Sequence, residues 1–368
     1  MIQVLLAFTL IYLVFFILLS LGWRSIKPTH STSDDCGITV IVPVRNEANG
    51  IEHLLTCLAY QDYHRDRFEV IVVNDFSEDQ TVAIVERLVK KFQIDLKVIS
   101  LEDPQKSGKK YAITKGVEVA KFDFIITTDG DCRMGPKWLA SYAPSFRNGK
   151  LFIAGPVALK GDGIFSTLQQ LEFSGLIGFG AVTIKSKTPS MCNGANLGFS
   201  KTAFNEVEGY KGNYDIPSGD DEFLLYDIQE KHPTQTTFLK SKTALVLTST
   251  HTSLKGFINQ RIRWTSKWKY HKNFKLRLFA VLFFAHYLVY LLGLGFVVFN
   301  QWPVYIFLMV FGIHLLSLAI YILPVQRFLG HRNGLFSLLF LQIIYPIHVL
   351  FMGVNSIFGR YTWKGRKY

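Results

Sequence analysis

The chain opens on 22 residues, MIQVLLAFTLIYLVFFILLSLG, without a single charge. As a helix rising 1.5 Å per residue this stretch is roughly 33 Å long, enough to cross the core of a bilayer. A cleaved signal peptide would want a basic start and a small-residue cleavage site, and both are missing. A retained anchor over residues 1–22 is therefore expected. Apolar character returns near the other end. Leu278–Phe299 and Trp302–Leu323 are long runs joined by the uncharged Asn300-Gln301 turn, and a third run, Leu335–Phe358, contains Pro346. Proline removes a helical donor, which leaves that third run open between a full span and a re-entrant or interfacial segment.

The middle of the chain, residues 36–250, reads differently. Ile38–Val44 (ITVIVPV) predicts a strand and Glu47–Tyr60 a helix. Glu69–Asn74 (EVIVVN) predicts a second strand, followed by a helix over Val82–Lys91 and a short strand over Leu96–Ser100. A helix over Lys109–Val119 and a strand over Phe124–Thr128 complete the series. The strands are continuous β-branched runs without alternation, which implies cover on both faces. A βαβα series of this kind predicts a parallel sheet with helices on either side. In such sheets ligands bind beyond the carboxyl ends of the strands. Asn46 and Glu47, Asp75, and the pair Asp129 and Asp131 all fall at strand ends, so their carboxylates converge on one crevice.

Charge refines this plan. The net charge is +12, and from Lys255 to Arg277 there are eight Lys or Arg and no acid. Arg24 and Lys27 follow the first apolar run. Basic flanks mark the cytoplasmic side, which places the middle domain in the cytosol at a bacterial plasma membrane. Residues 251–277 predict a basic amphipathic segment lying at the interface. Nucleic-acid binding is excluded as the meaning of this charge, because the basic stretch abuts a span and is rich in membrane-interface Trp and Phe. Four full spans would leave the basic tail, residues 359–368, on the far side, against the same tendency. Four cysteines, Cys36, Cys57, Cys132 and Cys192, show no paired or metal-type spacing and receive no role.

Asp129-Gly130-Asp131 is the first stretch with chemistry. Two carboxylates one residue apart repel each other and need a partner. At a strand end they can offer hard oxygens to Mg²⁺ or Mn²⁺ while other positions stay open for phosphate and water. Asp-Gly is also a favoured turn dipeptide, and alone would mean no more than a turn.

Motif order decides between these. "VIVPVRNEANGIEHLLTCLAYQ", "EVIVVNDFSEDQT", "SGKKYAITKG", "TTDGDC", "SGDDEFLLYDI" and "QRIRW" occur in the order seen in inverting family-two glycosyltransferases, and the chain resembles that family over residues 38–270. The resemblance implies a GT-A fold, an α/β domain built on a Rossmann-like mixed sheet over residues 36–250, flanked by transmembrane helices at 1–22, 278–299, 302–323 and 335–358. It implies that Glu47 and Asp75 hold the nucleotide of a UDP-sugar, although Asn74 replaces a more usual Asp and Phe76 a common Gly. Lys109 would face the nucleotide or its diphosphate, while Lys110 beside it reads as an ordinary helix-start lysine. Asp131 would be the main metal ligand and Asp129 would reach the metal and the sugar.

The same resemblance places Asn193 and Asn196, in "MCNGANLGFS", beside the acceptor, although Gly and Asn in such a loop can equally serve a tight turn. It makes Asp221 the general base with Asp220 in reserve, although acids also favour a helix start. In Q-R-I-R-W, Arg263 would bind the diphosphate, with Gln260 and Trp264 on the acceptor side. The expected activity is metal-dependent, inverting hexosyl transfer from a nucleotide-sugar to a membrane-associated, lipid-linked acceptor. The rivals are a processive polysaccharide synthase, a catalytically inactive scaffold and a transporter subunit. His286, His314 and His348 in the apolar runs read as packing or interface residues.

Overall fold

The structure, a computed structural model, describes residues 1–30, 36–216, 218–267, 274–332, 334–358, 362–363 and 366–367. Lys269 and Lys272 of the basic segment, and much of the basic tail, lie outside the described residues. The chain forms two units. One is Ile26–Lys160 with Phe179–Ser249; the other is Met1–Ser25, Gly161–Gly178 and the chain from Thr250 onward.

The elements in chain order begin with α1 (Ile2–Ser25), β1 (Ile38–Val44), α2 (Ile51–Ala59), β2 (Phe68–Asn74), α3 (Thr81–Lys91), β3 (Asp95–Ser100), α4 (Lys109–Val119) and β4 (Phe124–Thr127). Then come β5 (Arg133–Met134), α5 (Trp138–Arg147), β6 (Phe152–Ala154), β7 (Val157–Lys160), α6 (Ile164–Lys185), β8 (Leu197–Ser200), α7 (Lys201–Glu206) and α8 (Asp220–Lys231). Next are β9 (Thr236–Phe238), β10 (Val246–Ser249), α9 (Leu254–Thr265), α10 (Phe274–Val298), α11 (Val304–Phe328) and α12 (Leu335–Phe358), followed by the two-residue strands β11 (Thr362–Trp363) and β12 (Arg366–Lys367).

The first unit holds a seven-stranded sheet in the order β3-β2-β1-β4-β8-β6-β9. β1 pairs in parallel with β2 and β4, and β2 pairs in parallel with β3. Every residue of β1 and β2 is buried, as strands covered on both faces require. Each fully buried Val or Ile there contributes about 1.5–3 kcal/mol of burial free energy. Glu69 is the exception in composition and not in logic. Its carboxylate is wholly buried in β2 and accepts from Thr39 Oγ1 at 2.7 Å and Lys97 Nζ at 2.9 Å.

The sheet is mixed, as the family resemblance implies and the βαβα series alone does not. β8 runs antiparallel to both β4 and β6. Parallel neighbours require a crossover connection, but a crossover does not impose the parallel sense, so β8 after the long α6 can pair antiparallel. Strand order also reverses beside β1, with β2 and β3 to one side and β4 to the other. The crevice past the ends of β1 and β4 is therefore the switch point where ligands bind in sheets of this kind.

Among the described residues of the second unit four helices are long and apolar enough to cross a membrane: Ile2–Ser25, Leu276–Val298, Val304–Phe328 and Phe336–Ser356. Leu5, Tyr290 and Val310, from α1, α10 and α11, form one buried cluster of this bundle. The Tyr12 ring stacks on His286 at 4.6 Å and on His314 at 4.4 Å, so these two histidines sit inside the bundle. α12 runs unbroken through Pro346. An apolar bundle tolerates an internal proline because neighbouring helices re-satisfy the backbone group it frees.

Candidate active site

Three strand ends build the crevice of the sheet unit. After β1 the chain turns through Asn46 at φ 54°, and after β2 through Phe76, also at φ 54°. Asparagine tolerates the left-handed region, whereas Phe76 stands there without that ease. The two turns are tied together: Asn46 N–H donates to Ser77 Oγ at 3.1 Å, and Glu78 N–H donates to Asn46 Oδ1 at 2.8 Å. Asn74, the departure from the family pattern, accepts from Ser77 N–H at 3.0 Å and donates to Ser100 Oγ at 3.1 Å. It shapes the turn that follows it. Asp75 is 3% exposed, and its Oδ1 accepts from Gly108 N–H at 3.0 Å, fixing the entry to α4.

The D-G-D stretch does form a turn, closed by Cys132 N–H on the Asp129 carbonyl at 3.1 Å. Its glycine is not demanded by a left-handed φ. A Cβ on Gly130 would stand 2.8 Å from Glu47 Cγ and 3.2 Å from Val44 Cγ1. Gly130 thus lets Glu47 lie against the pair of acids. Asp131 is exposed, with Oδ2 accepting from Thr248 Oγ1 at 3.2 Å. Among the described residues no three His, Cys, Asp or Glu side chains are grouped for a metal ion. Two carboxylates, one of them exposed, fit a hard cation that keeps its remaining positions for phosphate and water.

Lys109 joins these acids to the next ones. Its Nζ is 2.8 Å from Asp129 Oδ1 and 3.2 Å from Asp220 Oδ2, with the lysine side chain 18% exposed. Burial alone would lower the lysine's pKa, but the charges of Asp129 and Asp220 outweigh it and raise the pKa well above the ordinary range. Lys109 is therefore a fixed cation between the D-G-D turn and the start of α8. There Gly219, at φ 85°, occupies the cap position, so Asp220 and Asp221 are first-turn residues of α8. Asp221 Oδ2 accepts from Gly194 N–H at 3.0 Å, and its Oδ1 accepts from Glu222 N–H at 2.8 Å.

Gly194 is the seam of the cluster. A Cβ there would meet Asp220 Oδ2 at 2.8 Å and Lys109 Nζ at 3.0 Å. Asn193 is half-buried and closes its own turn, accepting from Ala195 N–H at 2.9 Å. Asn196 is wholly buried. Its Oδ1 accepts from Trp138 Nε1 at 2.9 Å and Tyr142 Oη at 2.7 Å, and its Nδ2 donates to the carbonyls of Pro156 and Ala244. Those bonds consume the amide, so the expected acceptor-side role for Asn196 is corrected to a structural one.

Gln260, Arg263 and Trp264 lie on α9, in the bundle unit, and their roles rest on the resemblance alone. The residue of that motif most strongly held is another one, Arg261. Its guanidinium is bidentate to Glu172 of α6, with Nε 2.9 Å from Oε1 and Nη2 2.6 Å from Oε2. It lies between the rings of Phe257 and Trp264, at 4.5 and 4.4 Å. His348 Nε2 is 3.6 Å from the same carboxylate. Burial would raise the Glu172 carboxyl, but the Arg261 charge and these bonds hold it down at about 2. Sequence reasoning missed this pair. Glu172 is the one acid of α6, a signal visible in the sequence but without a partner until the helices pack.

Comparison with known proteins gives the family and the fold. Residues 39–208 match glycosyl transferase family 2, and residues 124–354 match glycosyl transferase family group 2. A stretch of 102 residues is 33% identical to the glycosyltransferase AglE of Haloferax volcanii, covering 28% of this chain and 33% of that protein. Another, of 146 residues, is 25% identical to the dodecaprenyl-phosphate galacturonate synthase of Rhizobium johnstonii, covering 38% and 43%. Each match thus spans less than half the relative's length. The fold is similar to that of the mannosyltransferase PcManGT from Pyrobaculum calidifontis, solved with GDP-Man and Mn²⁺. That likeness has a TM-score of 0.57 at 15% identity and covers 97% of this chain and 95% of that one. With the second family match covering more than half of the chain, the protein belongs to the family-two glycosyltransferases of GT-A fold.

Proposed function

We propose that the protein transfers a sugar, with inversion, from a UDP-sugar to a hydroxyl of a lipid-linked acceptor at the membrane. The observation that carries this reading is the Lys109 bridge, which gathers Asp129, beside the exposed Asp131, and Asp220, beside Asp221, around one cation. A donor-side group and an acceptor-side group are thereby held on one helix start.

In the reaction the acceptor oxygen attacks the anomeric carbon, and the bond from that carbon to the diphosphate oxygen breaks. Asp221 takes the acceptor's proton. Asp220 stays paired with the Lys109 ammonium, 3.2 Å away. Glu47 and Asp75 lie at the nucleotide end of the crevice, and Lys109 faces the developing diphosphate charge. Asp131 and Asp129 would hold Mg²⁺ or Mn²⁺, which when bound neutralises charge on the diphosphate. The four apolar helices and the relative that makes a dodecaprenyl-phosphate sugar support a lipid acceptor. The basic residues flanking the spans support a catalytic unit on the cytoplasmic side.

The test is transfer by the purified chain from a panel of radiolabelled UDP-sugars into a membrane-lipid extract, followed by solvent partition and NMR of the new linkage. One sugar in the organic phase with inverted configuration is expected. Retained configuration, or no transfer from any UDP-sugar, overturns the reading, and a high-molecular-weight product establishes a processive synthase instead.

A further inference from the structure

Lys110 looks dispensable in the sequence, yet it is 5% exposed. A buried ammonium must be compensated. Lys110 Nζ donates to the carbonyl oxygens of Asn213 at 2.5 Å and Ile216 at 2.9 Å, more than a hundred residues away, and lies 4.9 Å from the Phe223 ring centre of α8. The neighbouring faces of α4 grip the same segment. Tyr111 stacks on Tyr214 with ring centres 4.2 Å apart, and Thr114 Oγ1 and Tyr214 Oη share a hydrogen bond at 3.0 Å.

The segment so gripped, residues 209–216, consists of turns and bends without helix or strand. Gly209 and Gly212 take left-handed φ values of 57° and 85°. Such a run has little regular hydrogen bonding to hold it, and its position is set from outside. In the sequence it precedes Asp220 and Asp221 by three residues, of which Pro217 lies outside the described ones. The helix start that grips it is also the one that carries Lys109 and is fixed by Asp75.

We propose that Lys110 is a positioning residue: it docks the 209–216 turns onto α4 and thereby sets where the acid pair begins α8. The acceptor-side base is thus registered to the same helix that meets the donor-side acids. This rests on the reading of Asp221 as the base, but the docking itself does not.

The test uses the full chain purified in detergent, with Lys110→Met, which keeps the stem against Phe223, and Lys110→Arg, which restores a cation able to donate to both carbonyls. In Lys110→Met, hydrogen exchange over residues 209–216 should quicken, and turnover should fall roughly ten- to hundredfold, as for a misplaced catalytic group. UDP affinity should stay within about twofold, and Lys110→Arg should recover much of both losses. A merely structural lysine would lower the melting temperature without this split between turnover and UDP binding. Unchanged exchange over 209–216 in Lys110→Met overturns the proposal. Should that variant fail to fold, Tyr214→Phe decides, with quicker exchange there supporting the docking and normal exchange overturning it. If the natural chain transfers no sugar at all, the proposed function fails, while the exchange result still judges the docking by itself.

Discussion

Two groups of carboxylates in this protein receive opposite treatment. In the bundle unit, Glu172 is 8% exposed and is consumed by Arg261 in a bidentate pair, with His348 at its side. In the sheet unit, Asp129, Asp131, Asp220 and Asp221 share Lys109 and a few backbone and hydroxyl donors, and Asp129 remains 38% exposed. The first arrangement leaves an acid nothing further to do. The second crowds four like charges about a single lysine, which proteins tolerate where a cation or a proton is to be bound. The contrast teaches that the number of acids in a place says less than how completely their oxygens are used.

The largest effect should come from chelation. EDTA is expected to abolish sugar transfer and Mg²⁺ or Mn²⁺ to restore it, and Asp131→Asn should lose metal-dependent UDP binding by calorimetry. Full transfer in EDTA would remove the distinction drawn above. Next is Asp221→Asn, which keeps size and removes basicity. Single-turnover transfer should slow by roughly a hundred- to ten-thousand-fold, with UDP still bound. If Asp220→Asn is the inactive variant and Asp221→Asn is normal, the base lies one residue earlier.

The consumed acid should fail differently. Glu172→Gln leaves Arg261 buried without its charge partner and should cost about 3–5 kcal/mol of stability, read by thermal unfolding in detergent, with UDP affinity of the folded protein unchanged. Its pH dependence has a definite sign. The carboxyl is lowered in the fold to about 2 from 4.5, so its contribution is complete above 4.5 and drains away as the pH falls toward 2. Glu172→Gln should flatten the acid limb of the stability profile between those values. The smallest effect is expected at Lys97, which is half exposed where it meets Glu69. Lys97→Met should cost about 1–3 kcal/mol, less than Glu172→Gln, because Thr39 Oγ1 and Lys121 N–H still serve one oxygen of the buried carboxylate while the other loses the ammonium.

The local elements were legible in the sequence because their causes are local. Uninterrupted β-branched runs gave away β1, β2 and β4, and α4 begins and ends at the predicted Lys109 and Val119. Four apolar runs long enough to span a bilayer were equally plain. The D-G-D acids stood out because paired carboxylates at the end of an apolar strand need a partner, and the G-D-D acids because of their place in the motif order. Only the tertiary structure decided which neighbours those residues would have. Asn196 sits in a loop motif but spends its amide on Trp138 and Tyr142, and Glu172 meets Arg261 across 89 residues. Lys109 and Lys110 are identical in type and adjacent in sequence. A turn of about 100° between successive helix positions sends one to the acids and the other into the core, and no reading of residue type alone separates them.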